Sequence, residues 1–220
     1  MQLSSWSDLD PSFIRRRYNR IANIFPFFEW LFLLPPGIRK KAADRLQLLP
    51  GDRVLEIGCG TGRNLRLLRE AVGPSGHVYG VDLSEGMLEK AKALRARHGW
   101  ENVTLIRSDA LNYTAPEEVD AVLFSLSYAT IPHHKQVLGH AWNQLKPGKN
   151  LVIMDAKLPS GILGKLLLPY SVWVMRKTVL GNPLMRPWEE LHGLTREFSM
   201  EETLFGTYYV CCGKRPLARD

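Results

Sequence analysis

Short apolar runs alternate with longer amphipathic runs through the middle of the chain, and this alternation predicts strands and helices in turn. Strands are predicted at 53–57, 78–82, 103–107, 119–124 and 150–155. Helices are predicted at 12–20, 37–47, 63–71, 84–98 and 133–145. Because helices separate the first strand from the second, the second from the third and the fourth from the fifth, the strands should lie parallel in one sheet whose carboxyl ends form a single edge.

The first predicted strand ends in a glycine loop, residues 58–62, and a helical pattern follows. Glycines there allow a tight turn and a close approach of the backbone to a ligand. Arg63 stands where the dinucleotide fingerprint needs Gly or Ala, so the G-x-G-x-G spacing argues against a dinucleotide site. The second strand ends in Asp82, at the interval from the loop where a carboxylate reaches ribose hydroxyls.

Four segments resemble, in order, the motifs of class I S-adenosylmethionine-dependent methyltransferases. They are VLEIGCGTG, GVDLSEGMLEKAK, SDAL and LKPG…LVIMD, and the resemblance covers roughly residues 50–156. It implies an α/β fold with a Rossmann-like, seven-stranded, mostly parallel sheet, an antiparallel last strand, helices on both faces and an N-terminal helical lid. Two β-like runs near the end, at 197–203 and 207–212, fit the closing antiparallel pair.

The resemblance implies S-adenosylmethionine as the cofactor, with S-adenosylhomocysteine as its product, and assigns residues to it. The glycine loop would cradle the methionyl part, Asp82 would hold both ribose hydroxyls, Leu83 would pack on adenine, and Asp109 would bind the adenine amine. The expected cofactor-binding residues are Tyr18, Glu56, Gly58, Cys59, Gly60, Gly62, Asp82, Leu83, Met87, Asp109, Ala110 and Ser125. Cys59 is expected to pack within the loop and not to act as a nucleophile.

Two smaller sequence signals refine the element boundaries. Ser84 precedes an apolar-periodic run and has the position of a helix N-cap. Residues 146–148, Lys-Pro-Gly, predict a turn before the fifth strand, because Gly ends a helix and Pro blocks its extension. The expected domains are an N-terminal helical lid at 1–49 and a methyltransferase domain at 50–220, with a lid insertion at about 157–193.

Length and cysteine content fit this picture. A chain of 220 residues with 45% hydrophobic content can bury a full sheet. Three cysteines, two of them adjacent at 211 and 212, argue against a disulfide framework and for a reducing compartment. The sequence shows neither a signal-peptide pattern nor an apolar run of about 18 residues. These features predict a cytoplasmic protein.

The net charge of +7 is concentrated in two segments that are also strongly apolar. Residues 11–43 are rich in Arg and Lys and contain one acid, Glu29, whereas residues 158–188 contain basic residues and no acid. Basic, aromatic and aliphatic residues together are typical of segments that lie at a membrane interface. Both segments could equally cap the cofactor cleft as lids. A basic, apolar lid would suit a lipid-like acceptor and place the protein peripherally on the inner face of an anionic membrane.

The chain lacks the motifs of methyltransferases that act on two other classes of acceptor. Methyltransferases of base amino groups carry an Asn/Asp-Pro-Pro-aromatic segment after the fourth strand, where residues 124–128 here read Phe-Ser-Leu-Ser-Tyr. The metal-dependent catechol type needs an Asp-Asn pair after the fifth strand, and here Asp155 is followed by Ala156. Neither a nucleic-acid partner nor a metal is therefore expected.

The outer segments resemble the branch that contains phospholipid N-methyltransferases and quinone C-methyltransferases. YNRIANIF, at 18–25, is similar to that branch's Tyr-Asp-x-x-Ala-x-x-Tyr-Asp segment, with Asn19 in place of Asp. Position along the chain makes Tyr18, Tyr128 and His133 the catalytic candidates, since a base near the acceptor could remove its proton.

The predicted function is methyl transfer to a hydrophobic or membrane-resident acceptor. The preferred acceptor is the amine headgroup of a phospholipid of the phosphatidylethanolamine type. Carbon methylation of a quinone ring and methylation of a small natural product are the first alternatives. A regulator that binds S-adenosylmethionine without catalysis is the alternative from another class.

Overall fold

The computed structural model describes residues 34–159 and 185–217, together with residues 16, 18, 19, 161, 162, 166, 169 and 170. Most of the predicted helix at 12–20 and most of both basic, apolar segments lie outside the described residues. The division into a lid at 1–49 and a lid insertion at about 157–193 therefore stays a prediction.

One mixed sheet forms the centre of the described fold. Its strands are β1 (Arg53–Ile57), β2 (His77–Asp82), β3 (Val103–Arg107), β4 (Val119–Ser125), β5 (Leu145–Ala156), β6 (Phe198–Thr203) and β7 (Tyr208–Lys214). Their order is β3-β2-β1-β4-β5-β7-β6. Strands β1 to β5 pair in parallel, whereas β7 pairs antiparallel with both β5 and β6. The predicted seven-stranded, mostly parallel sheet is confirmed.

Helices cover both faces of the sheet. They are α1 (Ile38–Arg45), α2 (Leu65–Val72), α3 (Glu85–His98), α4 (His134–Gln144) and α5 (Pro187–His192). Side chains of α1, α2 and α3 pack into one buried apolar cluster, and side chains of α4 and α5 pack into a second. Because side chains alternate along a strand, β4 sends Leu123 to the first cluster and Phe124 to the second. This burial on both faces explains why β4 reads as a continuous apolar run.

The strand order places a crevice at the carboxyl edge of the sheet. From β1 the chain proceeds outward through β2 to β3 and then returns to β4 on the other side of β1. The loops that follow β1 and β4 therefore diverge to opposite faces and leave an opening between them. Open α/β sheets bind ligands at such a switch point.

The fifth strand differs from its predicted bounds. It begins at Leu145, and its pairing with β4 shifts from Val119↔Leu145 to Ala121↔Asn150. Lys-Pro-Gly at 146–148 is absorbed as a bulge within the strand, where Gly148 has a φ of 77°. The Gly148 N–H donates to the Arg215 carbonyl at 2.8 Å. The predicted turn is therefore a bulge inside β5, because the residues on both sides of 146–148 still pair with neighbouring strands.

The predicted N-cap at Ser84 is confirmed, since its Oγ accepts from the Met87 N–H at 3.3 Å. A 3₁₀ turn at Tyr128–Thr130 and the helix α5 were not predicted. Within the described part of the chain, every helix is too short or too polar to cross a bilayer.

Candidate active site

A cleft opens at the carboxyl edge of the sheet, above the ends of β1, β2, β3 and β4. Its empty volume is about 920 Å³, including the mouth that is open to solvent. One wall is the glycine loop after β1, and the opposite wall is the segment that follows β4.

Each glycine of the loop is required for a different reason. A Cβ on Gly58 would lie 2.4 Å from the Ser127 Cβ, so this glycine lets the two loops approach each other. A Cβ on Gly62 would lie 2.7 Å from the Leu65 Cδ1. Gly60 has a φ of 54°, and a Cβ there would meet nothing within 4 Å. The loop thus forms a cradle with open space above its central residue.

Asp82 ties the glycine loop to the start of α3. Its Oδ2 accepts from the Gly60 N–H at 2.8 Å, and its Oδ1 accepts from the Ser84 N–H at 2.8 Å. Burial raises the pKa of this carboxyl, while the backbone donors of Ser84, Gly60 and Leu83 oppose the shift. The N-terminal segment reaches the same corner, since Asn19 Oδ1 accepts from Ser84 Oγ at 2.7 Å and from the Gly86 N–H at 3.1 Å.

Glu56, the acid of β1, lines the cleft and is 1% exposed. Its Oε1 accepts from Asn64 Nδ2 at 2.5 Å. Its Oε2 is buried and has no hydrogen-bond donor among the described residues. Burial raises the pKa of this carboxyl to about 7, against the lowering effects of the Asn64 hydrogen bond and the nearby Arg39 charge.

Arg39 brings helix α1 into the same corner. Its Nη1 donates to Asn64 Oδ1 at 3.1 Å and to Ser125 Oγ at 3.1 Å. The guanidinium therefore bridges the loop after β1 and the end of β4. The sequence did not single out Arg39 or Asn64 as site residues, although both line the cleft. Nothing in the sequence separates Arg39 from the neighbouring Lys40 and Lys41, whereas a polar residue just beyond the glycine loop was a usable signal for Asn64.

The structure brings nearly all predicted cofactor-binding residues together. Those that line the cleft are Tyr18, Glu56, Gly58, Cys59, Gly60, Asp82, Leu83, Met87, Asp109, Ala110 and Ser125. Gly62 lies outside this lining and is buried against α2. Cys59 is buried within the loop, and burial raises the pKa of its thiol well above the ordinary range. A neutral buried thiol fits a packing role.

Two of the three predicted catalytic residues lie outside the cleft lining. Tyr128 is fully buried, and its hydroxyl donates to Glu190 Oε2 at 2.6 Å. Burial raises the pKa of the Tyr128 hydroxyl well above its ordinary value, so the hydroxyl keeps its proton. His133 is exposed at the start of α4, with a φ of 52°, while the preceding Ile131 and Pro132 line the cleft. The 3₁₀ turn is the cause, because it directs Tyr128 towards α5 and away from the opening.

The wall after β4 presents both apolar and hydroxyl side chains to the cleft. Leu126, Ile131 and Pro132 contribute to it, together with the hydroxyl residues Ser127 and Thr130. Behind this wall, Asp155 holds the turn in place: its Oδ2 accepts from the Ala129 N–H at 3.1 Å. Among the described residues, no group of His, Cys, Asp and Glu side chains is arranged to hold a metal ion.

Fold and site together define a class of protein: an α/β nucleoside-binding protein with an acid at the end of β2 and a glycine cradle at the switch point. The sequence family described as "Methyltransferase domain" matches residues 48–178. The demethylmenaquinone methyltransferase of Anoxybacillus flavithermus is 30% identical over 189 residues, which are 84% of this chain and 77% of the relative. That of Listeria monocytogenes is 32% identical over 73% of this chain and 69% of the relative.

Solved structures agree on the fold. A SAM dependent methyltransferase from Aquifex aeolicus has a TM-score of 0.60 at 20% identity and covers 94% of this chain and 98% of its own. Phosphoethanolamine N-methyltransferase 2 of Haemonchus contortus, in complex with S-adenosyl-L-methionine, has a TM-score of 0.73 at 19% identity over 92% of this chain and 60% of its own. The chain therefore belongs to the class I S-adenosylmethionine-dependent methyltransferases.

The residues present fit S-adenosylmethionine, the cofactor of this family. The glycine cradle leaves space above Gly60, and the Asp82 carboxyl is within the cleft at the end of β2. The Glu56 Oε2 atom is a buried acceptor that the described residues do not satisfy. S-adenosylmethionine carries an ammonium group and ribose hydroxyls. These groups are hydrogen-bond donors for the carboxylate oxygens of Glu56 and Asp82.

Proposed function

We propose that the protein transfers the methyl group of S-adenosylmethionine to a ring carbon of a membrane-resident naphthoquinol. One observation carries this proposal: relatives that match most of the chain at about 30% identity are named demethylmenaquinone methyltransferases. They favour the quinone alternative over the phospholipid headgroup that the sequence favoured. The similarity to a phosphoethanolamine N-methyltransferase, at 19% identity, concerns the fold alone.

The reaction is an in-line displacement at the methyl carbon. A ring carbon next to a hydroxyl attacks the methyl group, the sulfur–methyl bond breaks, and S-adenosylhomocysteine leaves. The ring then loses the proton of the attacking carbon and regains its aromatic quinol form. The acceptor must be reduced, because the ring of an oxidised quinone is electron-poor. Orientation and exclusion of water supply much of the acceleration for such a step.

The cleft offers matching surfaces for the two substrates. On the cofactor side, the glycine loop would hold the methionyl part, Asp82 the ribose and Asp109 the adenine amine. On the opposite side, the apolar wall of Leu126, Ile131 and Pro132 suits a flat, fused aromatic ring. Tyr18 lies in the lining beside the cofactor residues and is the candidate to orient the quinol hydroxyl through a hydrogen bond.

A membrane-resident acceptor requires the cleft to approach a bilayer. Ile162, Leu166 and Tyr170 are helical residues whose side chains are all exposed. Phe205, at the tip of the β6–β7 hairpin, is 89% exposed. Exposed apolar groups on a protein of net charge +7 are typical of peripheral binding to anionic membranes. We therefore propose that the protein is peripheral on the inner face of the membrane.

The acceptor can be tested directly. The purified protein is incubated with labelled S-adenosylmethionine and a short-chain prenyl-1,4-naphthohydroquinone that is kept reduced with dithionite. Parallel reactions contain vesicles of phosphatidylethanolamine. We expect label on the naphthoquinol ring, located by mass spectrometry, and none on the lipid. Label on the lipid alone would overturn the proposal in favour of headgroup methylation, and cofactor binding without transfer to either acceptor would support a non-catalytic regulator.

The cofactor assignment has its own test. Replacing Asp82 by Ala removes the acceptor of the Gly60 and Ser84 N–H groups and the proposed ribose ligand. We expect cofactor binding to be abolished in isothermal titration. Glu70→Ala is the matched control, because Glu70 forms only an exposed i,i+4 pair with Arg66 on α2. Wild-type affinity in the Asp82 variant would contradict the assignment.

A further inference from the structure

The loop that joins β6 to β7 places two apolar residues at its tip. Leu204 and Phe205 follow the last residue of β6, and Phe205 is 89% exposed. Their φ angles are 50° and 56°, and Gly206 follows with a φ of 77°. Glycine adopts this left-handed backbone freely and Asn and Asp tolerate it, whereas bulky apolar residues rarely adopt it. The loop is therefore strained at the two residues whose apolar side chains are exposed.

Neither the strain nor the exposure benefits the fold of this hairpin. Short hairpin loops that need a positive φ usually carry Asn, Asp or Gly, which lower the strain and leave no apolar group in water. An exposed Phe side chain buries too little apolar surface to offset the strain. Backbone strain that persists at such a position indicates a role outside the fold. The two side chains therefore indicate a partner that covers them.

The tip lies at the same edge of the sheet as the cleft. Strand β7 runs antiparallel to β5, and its first residue, Tyr208, pairs with Ala156 at the carboxyl end of β5. The loop 204–207 therefore projects from the carboxyl edge, where β1 to β4 end at the cleft. Strand β7 lies two strands away from β4, a lateral distance of about 10 Å. A flat surface that contacts the tip would thus also face the edge that holds the cleft.

Basic residues neutralise both acids of β6 next to the tip. Glu202 pairs with Lys157 at 2.9 Å. Gly206 leaves room for this pair, because a Cβ there would lie 2.8 Å from Glu202 Oε2. Glu201 pairs with Lys41 at 2.5 Å. With these acids paired, the net charge of +7 attracts the protein to an anionic surface.

Lys157 also connects the tip with the segment that follows β5. Its N–H donates to the Thr207 carbonyl at 2.7 Å. Farther along this segment, Ile162, Leu166 and Tyr170 have exposed side chains. The apolar tip and this apolar segment thus both start from the carboxyl edge of the sheet.

We propose that Leu204 and Phe205 form a wedge that inserts into the interface of an anionic bilayer and turns the carboxyl edge of the sheet towards the lipid. Aromatic and aliphatic side chains bury at the acyl boundary of a membrane. A protein partner is less suited, because two projecting side chains supply far less than the about 800 Å² per partner of a stable interface. The orientation rests on the proposed function, since it lets a ring enter the cleft while its prenyl tail stays in the membrane. The insertion itself does not depend on the acceptor.

The strain makes the wedge testable by one substitution. Phe205→Asn removes the apolar group and supplies a residue that tolerates the left-handed backbone. We expect its melting temperature to equal or exceed that of wild type. Its partition into vesicles of equal parts phosphatidylglycerol and phosphatidylcholine, measured by sedimentation, should weaken by about tenfold. A lower melting temperature with unchanged partition would make Phe205 a residue of the fold and overturn the proposal.

Leu217→Asn is the matched control. Leu217 is 73% exposed, but it follows the end of β7 and therefore lies at the opposite edge of the sheet. Its partition into the same vesicles should change by less than about twofold. An equal loss in both variants would show that exposed apolar groups act without regard to position, against a wedge at the tip.

Insertion can also be observed at the tip itself. A polarity-sensitive fluorophore is attached to the thiol of Phe205→Cys and, as a control, of Leu217→Cys. The native Cys59 and Cys211 are buried, and burial raises the pKa of Cys212 to about 11, so the introduced thiol reacts first. We expect the emission to shift to the blue with vesicles only for the label at position 205. The same emission with and without vesicles at this position would contradict insertion.

Turnover separates the wedge from the proposed function. With the short-chain naphthoquinol in solution, Phe205→Asn should keep wild-type kinetics. With a long-chain prenyl naphthoquinol in vesicles, its kcat/KM should fall by about tenfold. An equal loss with both acceptors, or a dimer in analytical ultracentrifugation that Phe205→Asn abolishes, would overturn the proposal. If wild type methylates neither naphthoquinol, the proposed function fails, and sedimentation and fluorescence still decide whether the tip inserts.

Discussion

Two buried carboxylates lie next to the last residue of two strands of the same sheet, and their surroundings differ. Glu56 on β1 is 1% exposed and Asp155 on β5 is 6% exposed. Burial raises the pKa of Glu56 to about 7 and that of Asp155 to about 6. By burial and by pKa the two acids look alike, and both would qualify as candidate site residues.

Their hydrogen bonds distinguish them. Asp155 is satisfied on both oxygens, since Oδ2 accepts from the Ala129 N–H at 3.1 Å and Oδ1 from its neighbour Ala156 at 2.8 Å. Glu56 lines the cleft and, within the described residues, has a donor on one oxygen only. A raised pKa therefore indicates burial, whereas an unmet acceptor in a cleft indicates a place for a ligand.

The largest expected effect comes from Glu56→Gln. The pKa of Glu56 is raised from 4.5 to about 7, so the folded state favours the protonated form, and the ionised acid lowers stability as pH rises from about 4.5 to about 7. At pH 8 the variant should gain up to about 3 kcal/mol in the free energy of unfolding. It should bind S-adenosylhomocysteine about a hundredfold more weakly, because the ammonium loses its counter-charge.

Chemical denaturation at pH 8 and pH 4 checks the first half, since the gain should vanish at pH 4, where both states hold the proton. Titration calorimetry checks the second half. A variant that is less stable than wild type at pH 8, or that keeps wild-type affinity, would show that Glu56 is satisfied in the way that Asp155 is.

At pH 4, where Asp155 is protonated in the folded state and linkage no longer favours its removal, Asp155→Ala should lower stability. It leaves the N–H groups of Ala129 and Ala156 without their acceptors, which should lower the free energy of unfolding by about 2 kcal/mol. Affinity for S-adenosylhomocysteine should change by less than about threefold, because Asp155 lies outside the cleft lining. Denaturation and titration on the same preparation test both statements. A tenfold loss of affinity would show that Asp155 also contributes to ligand binding.

Binding of the cofactor product should depend on pH through Glu56. Because Glu56 must be ionised to accept from an ammonium, the dissociation constant should rise about tenfold for each pH unit below about 7 and level off above it. Asp82 lies in the same cleft, and burial raises its pKa too. The control is therefore Glu56→Gln, which removes the titration of Glu56 and keeps that of Asp82. Between pH 5.5 and 7.5 the variant should show a flat profile, and a slope equal to that of wild type would assign the titration to Asp82.

Tyr128→Phe should have the smallest effect. It removes the hydrogen bond to Glu190, behind the acceptor wall, and should lower stability by about 1 kcal/mol. Turnover should fall by less than about threefold, since the hydroxyl faces α5. Single-turnover kinetics with the naphthoquinol provide the measurement. A hundredfold decrease at unchanged stability would return Tyr128 to the catalytic role predicted from its position in the sequence.

The cofactor half of the site could be predicted because it depends on local sequence. Glycines at alternate positions have few other uses after a buried strand, and Asp82 follows from the spacing of the second strand. The half of the site proposed to bind the acceptor, formed by the segment after β4, depends on features that the local sequence does not encode. The 3₁₀ turn decides that Ser127 and Thr130 face the cleft while Tyr128 does not. Arg39 reaches the site because α1 docks across the sheet, a long-range contact that follows from packing.

The position of β7 imposes an order on the completion of the sheet. It pairs with β5 on one side and β6 on the other, so β6 can join only after the later residues 208–214 are in place. During synthesis, β1 to β5 can pair with one another while the outer edge of β5, including Val152 and Met154, stays uncovered. An uncovered apolar edge is a template for pairing between chains. A nascent or truncated chain that stops before Tyr208 would therefore carry an aggregation-prone edge on β5.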